Sequence, residues 1–298
     1  SNLQALKVLP KLDVAQFTLN SHTFPSHRKV VENLSSMRDC HKTRLYIHYD
    51  YVYIISRFAM FSPVLQKVIV DEIESIMNYK SHGGNEVQGI IMHTDFPYRK
   101  TIYQTSGLSK EFVSGVYSST IWNPETVYSL YQQYIEPGDL KGLYYHSFNL
   151  FYHCVKSRLS EFSVPIYLEN TTKVPITPES VVPGTVDFLI EYLQSNPHTT
   201  DLYGLCLDTE HDFAVTGEFR FPSSVDFNVL VHLNTIPAEV SAKSLKDLHS
   251  NTTLFECSVN PMEFYIDYIK KLADLDIDFV REVKYETMVR ELDQLTKI

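Results

Sequence analysis

LYGLCLDTEHDF, residues Leu202 to Phe213, opens as an unbroken apolar run, ends that run on a carboxylate at Asp208, and places an imidazole three residues later at His211. A strand with one wet face alternates. This run does not, which suits a strand buried on both sides, as in a parallel sheet. Six more runs of the same make lie along the chain: VAQFTL (Val14 to Leu19), RLYIHY (Arg44 to Tyr49), VQGIIMH (Val87 to His93), VPIYLEN (Val164 to Asn170), FNVLVHLN (Phe227 to Asn234) and IDFVREV (Ile277 to Val283). Between them lie segments with helical periodicity, among them Pro63 to Tyr79, Ser147 to Leu159, Gly184 to Gln194 and Pro261 to Leu275. Ser62-Pro63 and Asn260-Pro261 each put an N-cap residue ahead of a proline at the first helical position. Strand, helix and strand repeated in this way predict an α/β fold, a TIM-like (β/α) barrel. Seven strands are counted; the eighth is either LQALKVL (Leu3 to Leu9) or missing, so the first strand is incomplete or divergent.

The 298 residues have room for this barrel as one domain, residues 1–298. The interval from His93 to Glu169 is longer than one helix and one strand need. It leaves an insertion, residues 98–138, rich in tyrosine and holding the only tryptophan, Trp122. Because it departs from the strand that carries His93, it is expected on the face where the strands end. Cys40, Cys154, Cys206 and Cys257 are scattered without a CxxC pair and read as buried thiols in a reducing compartment. No apolar stretch reaches the roughly 20 residues of a bilayer span, and no secretion pattern opens the chain. The expectation is a soluble, unsecreted monomer in the cytoplasm or nucleus, away from membranes.

Nine candidate metal ligands stand at the ends of these runs or in tight pairs: His48, His93, Glu169, Asp208, His211, His232, Asp247, His249 and Glu282. The C-terminal ends of parallel barrel strands are where catalytic groups converge. An isolated histidine ending an apolar run is ordinarily a core residue bonded to a carbonyl, and a lone DxxH or DLH is a common accident. A carboxylate such as Glu169 at the end of YLE is less easily dismissed, because burying it without a partner is costly. Imidazole and carboxylate are the usual non-sulfur ligands of zinc. The net charge of −10 argues against a nucleic-acid partner. It does so less strongly if the carboxylates hold divalent cations, which would turn the local potential positive.

In order along the chain, FTLN, IHYDYV, IIMHT, YLENT, LCLDTEHDFAVTG and VHLN followed by DLH resemble the endonuclease IV family of apurinic/apyrimidinic (AP) endonucleases, zinc-dependent barrel nucleases of base excision repair. The resemblance implies three Zn2+ per chain, with Mn2+ admitted at one site. His48, His93 and Glu169 would hold the first; Glu169 would bridge to a second completed by Asp208, His232 and Glu282; His211, Asp247 and His249 would hold the third. It implies cleavage of double-stranded DNA 5′ to abasic sites, with 3′-end processing in addition, and catalytic roles for Glu169 and Glu282, with Glu286 a rival for the last position. Tyr51, Val52 and His22 fall where the family contacts DNA. The chain departs from the pattern in the DNA-contacting loops: Thr235 follows HLN where the family has aspartate, and the loop around Asp247 lacks the family's glycines.

Two alternatives stay open. Sugar isomerases and epimerases of the xylose isomerase type share the barrel and use divalent ions held by carboxylates and histidine. A catalytically silent barrel could instead use the tyrosine-rich insertion to bind nucleic acid or protein.

Overall fold

The structure, a computed structural model, describes residues 14–18, 44–49, 55–78, 87–94, 122–159, 161–162, 164–171, 184–222, 226–235, 260–281, 287 and 290–291. Each of the seven apolar runs contains a strand: β1 (Val14–Thr18), β2 (Arg44–His48), β3 (Val87–His93), β4 (Ile166–Glu169), β5 (Tyr203–Asp208), β6 (Val229–His232) and β7 (Phe279–Val280). They form one sheet in chain order, every neighbouring pair parallel. β7 comes round beside β1, so the sheet rolls into an α/β barrel of the TIM kind. Leu3 to Leu9, the candidate eighth strand, lies outside the described residues.

The helices are α1 (Pro63–Met77), α2 (Pro124–Leu130), α3 (Leu140–Lys156), α4 (Val186–Ser195), α5 (Thr209–Thr216) and α6 (Met262–Asp274), of which α5 follows β5 directly at the strand ends. Ser62 caps α1 as expected, its hydroxyl oxygen accepting the Leu65 backbone N–H at 3.2 Å. α6 starts one residue late. Pro261, with ψ 160°, takes the cap position, and Met262 is the first helical residue. A proline's fixed φ suits either place, and ψ decides between them. α3 begins at Leu140 rather than Ser147, because Asp139 caps it by accepting the Gly142 N–H at 2.8 Å. Its buried stripe runs through Leu140, Leu143, Tyr144, Ser147, Phe148, Phe151, Tyr152 and Val155 at helical spacing. Of the expected insertion, the part from Trp122 onward is described. Trp122 bridges to Phe61 in an isolated antiparallel pair, and Val127 and Leu130 of α2 are buried against the barrel's helices. Among the described residues no helix is long and apolar enough to cross a membrane.

Period-two alternation sorts the strand residues into two cores. Leu45, Ile47, Ile90, Met92, Ile166, Leu168, Leu205, Leu207 and Val231 face outward and join the helices in the large cluster. Tyr46, Ile91, Tyr167, Cys206, Leu230 and Val280, with Val14 against them, fill the inside of the barrel. Below this inner layer the side chains must be small. A Cβ on Gly89 would meet the Tyr167 ring at 2.4 Å, and one on Gly204 would meet the Asn228 carbonyl oxygen at 2.6 Å. The Tyr46 and Tyr167 rings take that space edge to face, with centroids 5.9 Å apart. Tyr46 donates its hydroxyl hydrogen to Asp278 Oδ2 at 2.6 Å, and Arg44 pairs with Asp278 Oδ1 at 2.7 Å, which ties β2 to the segment leading into β7.

Because the obstacle at Gly204 is backbone and cannot swing away, Gly204→Ala should lower stability by about 1–3 kcal/mol, the usual range for overpacking a filled core. The urea midpoint of the variant against the parent measures it, and an unchanged midpoint would show that the inner layer has slack.

Candidate metal centre

The same alternation builds the site. Two residues beyond six members of the inner apolar layer, on the same face and nearer the strand ends, stands a polar side chain: Gln16 above Val14, His48 above Tyr46, His93 above Ile91, Glu169 above Tyr167, Asp208 above Cys206, and His232 above Leu230. β2 to β6 each end on one of them. The strands deliver imidazoles and carboxylates to one mouth because each stops on the residue that points inward.

Glu169 is the centre. Its side chain is wholly buried; Oε2 lies 2.9 Å from His48 Nε2 and 2.9 Å from His93 Nε2, and Oε1 lies 3.0 Å from His232 Nδ1. Burial alone would push this carboxyl up, but His93, His232 and His48 together hold it well below the usual carboxylate range. Asp208, also wholly buried, is lowered for the same kind of reason. Desolvation opposes ionisation, while His211 and His232 favour it. Its Oδ1 caps α5 by accepting the His211 N–H at 2.8 Å, and Asn234 donates to Oδ2 at 3.2 Å. Asn170 clamps the same corner, accepting the Asp208 N–H at 2.6 Å and donating to the Asp208 carbonyl at 3.0 Å. Cys206, level with Glu169 across β4 and β5, is a buried thiol pushed up to about 12 by burial, against the pull of His232.

Three overlapping sets of ligand atoms, each set within 4.8 Å of one another, share Glu169: with His48 and His93, with Asp208 and His211, and with Cys206 and His232. The hydrogen-bond partners of the imidazoles fit a cation. His48 Nδ1 faces the Tyr49 carbonyl at 3.0 Å and Nε2 faces Glu169, so both ring nitrogens look at oxygens that only accept. A neutral imidazole has one N–H, so the second contact needs an extra proton or a cation between nitrogen and carboxylate. His93 has a buried Nδ1 with no partner among the described residues, which leaves Nε2, the nitrogen nearest Glu169, as its one anchor. The donors suit a divalent ion that accepts nitrogen and oxygen together.

Of the nine ligands expected, the structure brings His48, His93, Glu169, Asp208, His211 and His232 into this one cluster. Asp247, His249 and Glu282, the rival Glu286, and the expected DNA contacts His22, Tyr51 and Val52 lie outside the described residues. His146, His153 and His198 are exposed on the helical side, away from the cluster. Sequence reasoning missed Gln16, whose Oε1 lies 2.8 Å from His232 Nε2, and also Asn170 and Asn234. For Gln16 a signal existed: it stands at the inward position two beyond Val14 in VAQFTL.

His211 rides on α5, and α5 is pinned from behind. The Asp212 side chain, 2% exposed, takes two bonds from the Arg220 guanidinium, one of them from Nε at 2.7 Å, while Arg220 Nη1 reaches Asp187 of α4 at 2.6 Å. Burial pushes the Asp212 carboxyl up against the pull of Arg220.

No family model matches the sequence, and no curated protein matches it. Solved structures do. A protein described as D-tagatose 3-epimerase-like matches with TM-score 0.51 and 13% identity over 96% of this chain and 87% of its own. D-psicose 3-epimerase of Clostridium cellulolyticum H10, solved with D-tagatose, gives 0.48 and 9% over 95% and 80%. A xylose isomerase domain containing protein of Salmonella typhimurium LT2 gives 0.48 and 12% over 98% and 91%. At this identity the likeness establishes the barrel fold alone, and nothing in it singles out the endonuclease IV family.

The expectation of a hydrolase cutting DNA 5′ to abasic sites in base excision repair is thereby corrected: the solved structure that this chain follows over 96% of its length is described as epimerase-like, as the alternative reading had it. The physical reason is that histidines and carboxylates at the ends of barrel strands follow from the fold's alternation and serve many reactions, so they mark a mouth that could hold a metal without naming what enters it.

Arg220→Ala should cost about 3 kcal/mol by leaving Asp212 as a buried carboxylate without its cation. Denaturant unfolding of the metal-free protein reads this directly, and a loss below about 1 kcal/mol would mean that the pair is screened like a surface one.

Proposed function

We propose that this barrel is a divalent-metal-dependent isomerase or epimerase of a sugar or a similar polyhydroxy carbonyl compound. The observation that carries the proposal is the Glu169 cluster: one buried carboxylate shared by three imidazoles, with a second buried carboxylate beside it, at the strand-end mouth of a barrel. The structural likeness to a D-tagatose 3-epimerase-like protein supports the choice of substrate class.

Isomerising or epimerising a sugar next to its carbonyl moves a proton on carbon and leaves charge on oxygen while it does so. His48, His93 and Glu169 would hold the ion, with Asp208 and His232 completing its surroundings, and Zn2+ and Mn2+ both suit such a mixed nitrogen and oxygen set. The bound ion supplies a Lewis acid that steadies charge on the carbonyl oxygen. Glu169 and Asp208 stay ionised because their carboxyls are held low, so they fix charge and are poor proton carriers. The proton falls to an imidazole. His211 is the candidate: its Nδ1 hydrogen is donated to the Asn170 carbonyl at 2.8 Å, which puts the basic lone pair on Nε2, and Asp208 Oδ2, 3.9 Å from Nδ1, favours the imidazolium that forms. Burial of Glu169, Asp208 and His232 keeps bulk water from competing for the same groups.

The test is proton exchange. Metal-loaded protein in deuterated water, offered D-tagatose, D-psicose and D-fructose, should place deuterium on the carbon beside the carbonyl, as read by proton NMR, and a chelator should stop it. His211→Gln should lower kcat by about 100- to 10,000-fold, the usual contribution of a positioned acid or base. His153→Ala, on the exposed helical side, should leave the rate intact. Absence of deuterium in all these sugars with the metal bound would end the proposal.

A further inference from the structure

Three of the four imidazoles of the centre, His48, His211 and His232, are held by their far nitrogens, and the holders differ in kind. His48 and His211 point Nδ1 at backbone carbonyls, Tyr49 at 3.0 Å and Asn170 at 2.8 Å. A carbonyl accepts and cannot donate, so Nδ1 carries the hydrogen in both and the basic lone pair sits on Nε2, which in His48 faces Glu169 at 2.9 Å. His232 stands the other way round. Its Nε2 faces Gln16 Oε1 at 2.8 Å, and its Nδ1 faces the carboxylates, Glu169 Oε1 at 3.0 Å and Asp208 Oδ2 at 3.7 Å.

We propose that Gln16 is a positioning residue that holds the His232 ring with its hydrogen on Nε2, so that His232 binds the metal through Nδ1 while His48 binds through Nε2. The proposal rests on the metal centre argued above and is independent of which substrate enters. His232 is wholly buried and ends β6, and its neighbour Leu230 is packed in the inner layer, so the ring has one soft motion left, rotation about Cβ–Cγ. A half-turn would put Cδ2 where Nδ1 now lies and Cε1 where Nε2 lies, and the donor would vanish from the cage. The bond to Gln16 resists that half-turn, because it breaks when carbon replaces Nε2. The reach comes from topology. Gln16 is on β1 and His232 on β6, with β7 between them on the rolled sheet, so the contact spans the seam of the barrel.

The experiment uses isotopically nitrogen-labelled full-length protein loaded with spin-active cadmium. One-bond coupling between cadmium and nitrogen identifies each ligating atom and does not depend on turnover. The wild type should show coupling at His232 Nδ1 and at His48 Nε2. Gln16→Leu should weaken cadmium binding by about 10- to 100-fold, the range for a lost outer partner of a ligand histidine, and should lose the His232 coupling. Gln16→Glu, which keeps an acceptor oxygen at the same reach, should retain the coupling. A fold defect alone would not separate these two variants in that way. Coupling at His232 Nε2 in the wild type, or Gln16→Leu with coupling and affinity unchanged, would overturn the proposal. If Gln16→Leu does not fold, the wild type and Gln16→Glu decide by the same coupling. Sugar turnover measured on the same samples keeps the two readings apart. Nδ1 coupling without turnover would sink the isomerase reading alone, and turnover with Nε2 coupling would sink this one alone.

Discussion

A single carboxylate, Glu169, sets the terms for the rest of the molecule. Its side chain has no access to water, and an ionised carboxyl in such a place persists only if positive charge or hydrogens meet it from several sides. Three imidazoles do so from three different strands, β2, β3 and β6. Each strand must therefore stop at the right level and with the right face inward, and a slip of one residue in any of them would turn the imidazole out into the helical layer. The register pairs observed, His93 with Glu169 and Asp208 with His232, are the backbone expression of that demand.

The barrel itself was plain in the sequence because strands buried on both faces leave a continuous apolar run, and all seven runs became strands. His48, His93, Glu169, Asp208 and His232 could be picked out because each follows an apolar stretch with a group that does not belong in an apolar core. Helix starts were less plain. The first two turns of α3, LKGLYYHS, bury tyrosines and look no different from the aromatic stretch before them until Asp139 is seen as the cap. The supporting shell was harder still. Gln16, Asn170 and Asn234 are ordinary polar residues one at a time, and their roles arise from contacts that span 26 to 216 positions of chain.

The substrate was the least legible part, and the reason is instructive. Metal-binding side chains sit where the fold brings strand ends together, so two families that share a barrel show similar residues at similar places in the chain order. What distinguishes a polymer from a small sugar is the loops above the mouth. The motifs that suggested a nuclease come almost entirely from strand ends, and the departures from the nuclease pattern, Thr235 and the glycine-free stretch around Asp247, are in loops.

Among the described residues, the main-chain ladder runs from β1 to β7 and is not continued from β7 back to β1. Side chains bridge that gap at two heights. Arg44 and Tyr46 reach Asp278 at the base, and Gln16 reaches His232 at the top. The two kinds of tie differ in slack: the hold on His232 runs through the rotatable side chain of Gln16, whereas His48 and His211 are tied to backbone carbonyls, which have no rotamers to change.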